Sequence, residues 1–235
     1  MRAVILAGGK GTRLKPYTTV LPKPLMPIGD MPILEVVLRQ LKTAGITRVT
    51  MAVGHLAELL QAFFGDGNRI GLPIDYSMED EPLGTVGPLT LIEGLDDTFL
   101  MMNGDILTDL DYADLVRRHK ESGATATIAS YVRTVKIDFG VIETDGSGLL
   151  KEYVEKPQYD YRVSMGIYVF EPSILSMLVP RHRFDFPDLI KKLIERGESV
   201  ASYPFSGYWL DMGRPDDYAR AIEDFDAKQN KFIRG

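Results

Sequence analysis

Apolar and polar residues follow two alternating patterns along this chain. Short, nearly continuous apolar runs fall at residues 2–6, 48–53, 74–77, 99–102, 126–132, 165–170 and 199–203, which is how buried strands read. Between them, apolar residues recur at helical spacing, predicting helices at 33–44, 56–64, 88–93, 112–122, 188–196 and 215–226. In the first of these, Leu34, Val37, Leu38 and Leu41 define one face to be buried. Gly45 stops that helix, and the next strand opens at Arg48. Strand and helix alternate through the first half, which predicts an α/β fold with a doubly wound, mostly parallel sheet. Residues 139–155 break the rhythm: two short strands flank Asp145-Gly146-Ser147-Gly148, a hairpin signal that predicts a flap beside the sheet. There is no internal repeat and no low-complexity linker. The polar stretch 224–235 is expected to fray.

Composition narrows the function classes without changing that architecture. The chain has 235 residues, 45% hydrophobic and 26% charged, enough for one large or two small domains. Its formal net charge of −6 argues against wholesale nucleic-acid binding. There is no cysteine, hence no disulfide, no thiol nucleophile and no cysteine-based metal site. The apolar start at 3–7 is too short for a signal peptide, and no apolar run approaches the ~20 residues of a membrane span. A soluble cytoplasmic protein is the default expectation. His55, His119 and His182 are scattered, with no zinc-like cluster; His55 could reach the nucleotide region but is read first as a helix-capping residue. Met26, Met31, Met51, Met101 and Met102 are read as core filling.

The chemistry concentrates directly after the first strand. Leu6 and Ala7 lead into Gly8, Gly9, Lys10, Gly11, Thr12 and Arg13, and Lys23 follows between Pro22 and Pro24. Backbone amides without side chains can approach a polyphosphate closely, and Arg and Lys can neutralise its oxygens. The Walker pattern is absent, because Lys10 is followed by Gly11 rather than Ser or Thr. The dinucleotide fingerprint is absent too, because Leu14 stands where the third glycine belongs. The two prolines fix the backbone on both sides of Lys23, so its ammonium is aimed rather than free in solvent.

The uninterrupted run from Gly8 to Leu14 with Pro22-Lys23-Pro24 resembles the signature of the sugar-1-phosphate nucleotidyltransferases. The resemblance implies a Rossmann-like fold and a reaction in which a sugar 1-phosphate attacks the α-phosphate of a nucleoside triphosphate and expels pyrophosphate. It implies that Leu6, Ala7, Gly8, Gly9, Gly11, Thr12 and Arg13 bind the nucleotide, with Arg13 and Lys23 catalytic. Triphosphate chemistry calls for a divalent cation such as Mg²⁺ held by carboxylates. Asp105 ends the strand at 99–102, where open α/β sheets bind ligands, and Asp211 follows the sole tryptophan, Trp209. Both segments resemble the family's metal-holding motifs. Asp109, Asp111 and Asp216 are read as caps or solvated surface.

Further segments address the two substrates. Asn103, Gly140, Glu155, Lys156, Ser164 and Gly166, with Lys23, match the sugar-phosphate side of the family pattern. Lys156 precedes Pro157 and is expected to be extended. Ser164 departs from the asparagine of many relatives and offers one donor where an amide offers two, which leaves the sugar open. Residues 79–88, Glu-Asp-Glu-Pro-Leu-Gly-Thr-Val-Gly-Pro, resemble the corresponding segment of mannose-1-phosphate guanylyltransferases. There Glu79, Gly84 and Thr85 face the nucleoside. Guanine presents two adjacent donors and a carboxylate only accepts, so Glu79 favours guanine over a pyrimidine. The expectation is one catalytic domain, residues 1–110 mainly for the nucleotide and 111–235 mainly for the sugar phosphate, without a C-terminal β-helix. The substrates are GTP and a mannose- or heptose-type sugar 1-phosphate, with no nucleic-acid or membrane partner. The oligomeric state is open, a homo-oligomer included. The alternatives are the same chemistry with dTTP, UTP or CTP and another phosphorylated acceptor, or a nucleotide-sensing domain without catalysis.

Overall fold

The computed structural model describes residues 1–233. The first part of the chain forms β1 (Arg2–Leu6), β2 (Pro27–Ile28), β3 (Met31–Pro32), α1 (Ile33–Thr43), β4 (Arg48–Val53), α2 (Ala57–Phe64), β5 (Ile74–Met78) and β6 (Phe99–Asn103). Then come β7 (Ile106–Thr108), α3 (Tyr112–Ser122), β8 (Ala126–Lys136), β9 (Gly140–Thr144), β10 (Leu150–Glu155) and β11 (Gln158–Phe170). The chain finishes with α4 (Phe186–Glu195), β12 (Val200–Phe205), β13 (Trp209–Asp211) and α5 (Pro215–Phe232). The main sheet has seven strands in the order β12-β8-β11-β6-β1-β4-β5. The β1, β4, β5 and β6 pairings are parallel, as is β12 with β8. Only β11 runs against its neighbours, β6 and β8.

The sheet is covered on both faces, which is why its strands read as unbroken apolar runs. Ile5, Met51 and Met102 point to one cluster with Leu38, Leu60 and Leu115 of α1, α2 and α3. Their neighbours Val4 and Met101 point the other way, towards Phe170 and towards Leu189 and Leu193 of α4. Helix α1 is buried on more than the predicted face. Ile33 and Val36 pack with Phe225 and Phe232 of α5 in a third cluster. The tail expected to fray is therefore core up to Phe232, which is 1% exposed. Two buried phenylalanines, on either side of a kink at Lys228 (φ −138°, ψ 29°), anchor the last turns of α5. The helix expected at 88–93 is instead a 3₁₀ turn, Gly87–Leu91. Thr90 donates its hydroxyl to the Gly87 carbonyl, and Gly94 takes a positive φ, so no room is left for a second α-turn.

Strands β8 and β11 outrun the sheet. Residues 132–136 pair only with 158–162, forming a two-stranded arm. The β9–β10 hairpin continues from that arm as the predicted flap, its tip held by Asp145, which accepts from the Ser147 and Leu149 amides. Among the described residues, no helix is long and apolar enough to cross a membrane.

Candidate active site

A cleft of about 960 Å³ opens where β1, β4, β5 and β6 end. Its first wall is the glycine loop. Gly11 adopts φ 58° and ψ 31°, and its carbonyl accepts from both the Leu14 amide and the Thr18 hydroxyl, curling the loop into successive 3₁₀ turns. Gly8, Gly9, Gly11, Thr12 and Arg13 all line the cleft, with Leu6 and Ala7 behind them. Arg13 is exposed and has no ion pair among the described residues; its guanidinium lies over Gly213, where a Cβ would stand 3.1 Å from Nη2.

Lys23 begins a short 3₁₀ turn, with Pro22 extended before it and Pro24 inside it. That rigid frame carries its side chain, only 13% exposed, to Asp105 and Asp211. The Lys23 ammonium contacts the Asp105 carboxylate and lies 3.7 Å from Asp211 Oδ1. Burial pushes the Lys23 pKa down, the charge of Asp211 opposes that shift, and the charge of Arg13 adds to it. The two aspartates meet although they are distant in sequence. Strand β13 pairs antiparallel with β7, setting Asp211 opposite Ile106, and the Met212 amide donates to the Asp105 carbonyl at 3.2 Å. Asp211 Oδ1 is sealed from solvent and has no hydrogen-bond partner among the described residues. A buried carboxylate oxygen of this kind calls for a cation, and in this structure the Lys23 ammonium stands 3.7 Å from it. No group of three or more His, Cys, Asp or Glu gathers anywhere among the described residues, so a cation here could draw on two carboxylates at most. That fits a hard cation such as Mg²⁺, which takes one or two carboxylates and completes its shell with phosphate oxygens and water.

Glu79 faces the glycine loop from the end of β5. Its Oε1 lies where a Cβ on Gly8 would come within 2.9 Å, and its Oε2 accepts from the Leu83 amide at 3.1 Å. Burial raises the Glu79 pKa, and the Leu83 amide offsets part of that rise. Gly84 and Thr85 line the same end of the cleft. Asn103 lines the cleft from the end of β6, and a Cβ on Gly166, which is not itself a lining residue, would meet its Nδ2 at 2.7 Å. Gly166, at φ +75°, occupies the register shift in the β8–β11 ladder between Ser164 and Tyr168.

The other sugar-side residues lie outside this cavity. Ser164 donates to the Tyr168 hydroxyl at 3.0 Å. Gly140 and Glu155 are register partners on the flap, and Glu155 accepts from Tyr153 at 2.8 Å. Lys156 is exposed and not extended as expected; its φ is +47°. The chain must turn from β10 into β11 within Lys156 and Pro157, and a left-handed residue makes that turn. His55 also departs from expectation. Leu56 is the residue at the α2 N-cap, in the left-handed region, and His55 lines the cleft. Asp109 is partly buried, accepting from the Tyr208 amide and from Lys231, whereas Asp111 caps α3 as expected. Sequence reasoning missed Gly213 as a cleft residue; the glycine directly beyond Trp209-Leu210-Asp211-Met212 was its one signal.

Residues 2–228 match the Nucleotidyl transferase family. The chain belongs to the sugar-1-phosphate nucleotidyltransferases. It is 35% identical to the UTP–glucose-1-phosphate uridylyltransferase of Synechocystis, over 100% of this chain and 66% of that protein. It is also 35% identical to the mannose-1-phosphate guanyltransferase of Yarrowia lipolytica, over 93% of this chain and 62% of that protein. The chain thus spans under two thirds of the length of these relatives. Among solved structures, HddC from Yersinia pseudotuberculosis complexed with GMP-PN superimposes with a TM-score of 0.72 at 26% identity, covering 95% of this chain and 99% of that one. The mixed seven-stranded sheet with helices on both faces is therefore the fold this chain shares with HddC.

Proposed function

We propose that this chain transfers a nucleoside monophosphate from a nucleoside triphosphate to a sugar 1-phosphate, releasing pyrophosphate, with GTP as donor. The observation that carries the reading is the convergence of Lys23, Asp105 and Asp211 beside a glycine loop with an unpaired Arg13. No protein nucleophile is required. A phosphate oxygen of the sugar phosphate, ionised at neutral pH, forms the new bond to the α-phosphorus as the bond to the β-phosphate oxygen breaks. The protein's work is alignment and charge neutralisation. The loop amides and Arg13 hold the triphosphate and stabilise the charge of the transition state. Lys23 steadies the phosphates where the two substrates meet. Asp105 and Asp211 would hold Mg²⁺, which supplies charge neutralisation at the phosphate oxygens.

On the acceptor side, Asn103 shapes the cleft with Gly166 packed against it, and Glu155 and Lys156 bring hydrogen bonds and charge from the flap. Mannose and heptose 1-phosphates are the acceptors to test first. Guanine is supported by the free Oε1 of Glu79 and by the GMP-PN bound to HddC, whose base is guanine. A uridylyl reading has its own support in the identity to the Synechocystis uridylyltransferase. Pyrophosphate release is to be measured with GTP, UTP, dTTP and CTP against a panel of sugar 1-phosphates. Preference for UTP or dTTP sinks the guanine reading, and silence with every pair sinks the enzyme reading.

A further inference from the structure

Helix α4 begins with an anomaly. Its N-cap residue is Asp185, in extended backbone, yet the carboxylate makes no bond to the helix it precedes. An N-cap aspartate normally accepts from an amide two or three residues on. Here Asp185 Oδ1 accepts instead from the Thr85 amide at 3.1 Å, 100 residues away. The exchange is reciprocal: the Phe186 amide, first in α4, donates to the Thr85 hydroxyl oxygen at 2.6 Å. Two orphan amides on different segments are thus satisfied by each other's side chains, as in a capping box closed between two parts of the chain.

The surrounding backbone welds the same junction. The Phe184 amide donates to the Leu83 carbonyl at 2.9 Å, and the Val86 and Gly87 amides donate to the Phe184 carbonyl at 3.0 and 3.2 Å. Arg183 pairs with the second oxygen of Asp185 at 3.2 Å. Gly84, at φ +80°, leaves no room for a side chain: a Cβ there would stand 2.6 Å from Asp185 Oδ1 and 2.7 Å from the Phe184 carbonyl. Gly84 and Thr85 line the cleft on one side of this junction, and Glu79 is tied to it through Leu83.

We propose that Asp185, acting through Thr85, is a positioning residue for the nucleoside. It fixes the loop under the base and ribose, and with it the Glu79 carboxylate. The proposal rests on the reading that this end of the cleft takes the nucleoside. The Thr85 hydroxyl oxygen accepts from α4, which fixes its direction and leaves its hydrogen free to donate into the cleft. None of the bonds of the clamp involves Lys23, Asp105 or Asp211, so it should govern nucleotide affinity and leave the chemical step alone.

The test compares D185A and D185N with wild type, reading kcat, both KM values and the affinity for GMP by calorimetry. D185A should raise the KM for GTP and weaken GMP binding by about ten- to hundredfold, the loss expected for one charge-assisted hydrogen bond. The kcat and the KM for the sugar phosphate should stay within about twofold of wild type, a split that general destabilisation does not produce. D185N keeps an oxygen acceptor for the Thr85 amide and should recover most of the GMP affinity. If D185A does not fold, T85V against T85S tests the reciprocal half of the clamp, the Phe186 amide on the Thr85 hydroxyl, with serine retaining affinity and valine losing it. Unchanged GMP affinity in D185A, or equal losses on both substrates, overturns the clamp. Wild type that binds GMP but releases no pyrophosphate overturns the enzymatic reading and leaves the clamp to the calorimetric comparison.

Discussion

Lys23→Ala isolates the charge balance at the centre of the cleft. The ammonium touches Asp105, whose side chain is 16% exposed, and lies 3.7 Å from Asp211, whose side chain is 42% exposed. A hydrogen bond to a charged group contributes ~1.5–3 kcal/mol. Solvent screening at Asp211 and relief of the buried lysine's own desolvation cut the net loss to about 1–2 kcal/mol. For a chain of this size each kcal/mol moves the melting midpoint by roughly 2–4 °C. In chelator the variant should therefore melt about 2–8 °C below wild type. Adding Mg²⁺ should raise its midpoint more than that of wild type, because the cation no longer competes with an ammonium for the same carboxylates. Saturation at a hundredfold excess over Kd is equivalent to about 2.7 kcal/mol. Turnover should not return with the metal. Loss of one preorganised donor to a transition-state oxygen costs about 10²–10³-fold in kcat, and loss of its charge adds to that. Calorimetry with and without Mg²⁺, paired with pyrophosphate release, makes the check. A variant that melts with wild type in chelator and responds no more strongly to Mg²⁺ refutes the charge-balance argument. Near-normal turnover refutes the catalytic role.

Phe232→Ala should cost about 3 kcal/mol, the low end for a buried phenylalanine because the last turn can relax, and thermal melting reads it directly; an unchanged midpoint means that the end of α5 is not core. Gly166→Ala forces a side chain onto Asn103 Nδ2 at 2.7 Å, at a φ of +75° that costs ~1–2 kcal/mol for a non-glycine residue. It should raise the KM for the sugar phosphate and spare that for the nucleotide, and the reverse split counts against Asn103 on the sugar side. Burial raises the Glu79 pKa, so its protonated form persists above the usual carboxylate range. GTP affinity that depends on ionised Glu79 is complete above that raised value and declines as pH falls through it. Glu79→Gln should flatten this acid limb and narrow the preference for GTP over UTP; an identical pH profile in the variant removes Glu79 from base recognition.

Periodicity located the strands and most helices because those segments are buried on defined faces. β1, β4 and α3 have the bounds read from the pattern, and β6 extends by Asn103 alone. The failures have physical causes as well. Residues 88–93 carry a plausible apolar pattern, but the Thr90 hydroxyl and the positive φ at Gly94 hold the segment to a single 3₁₀ turn. The 224–232 stretch is polar on average, yet Phe225 and Phe232 stack at 5.8 Å and suffice to bury one side. Mean polarity hides an anchor of two residues. The Lys156 backbone was misjudged from its proline neighbour because the local bias for extended backbone yielded to the geometry of a two-residue turn.

What no local pattern could supply is the assembly of the cleft from opposite ends of the chain. The glycine loop, Lys23, Glu79 and Asp105 all precede residue 110, and by themselves they look like a complete nucleotide site. They are completed by three later segments. The β7–β13 pairing delivers Asp211 beside Asp105, Gly213 leaves space for the Arg13 guanidinium, and the start of α4 fixes Thr85. Two of these are tertiary hydrogen bonds across about a hundred positions, Met212 to Asp105 and Thr85 to Asp185; the third is the clearance that Gly213 gives Arg13. Residues that touch the substrates carry a signature in sequence, because their chemistry restricts their type. Residues that hold those in place do not, because an amide can be satisfied by any acceptor the fold brings near. Asp185 is of the second kind. In sequence it is one more aspartate before a helix, and only the missing bond to its own helix and the bond it makes to the Thr85 amide set it apart.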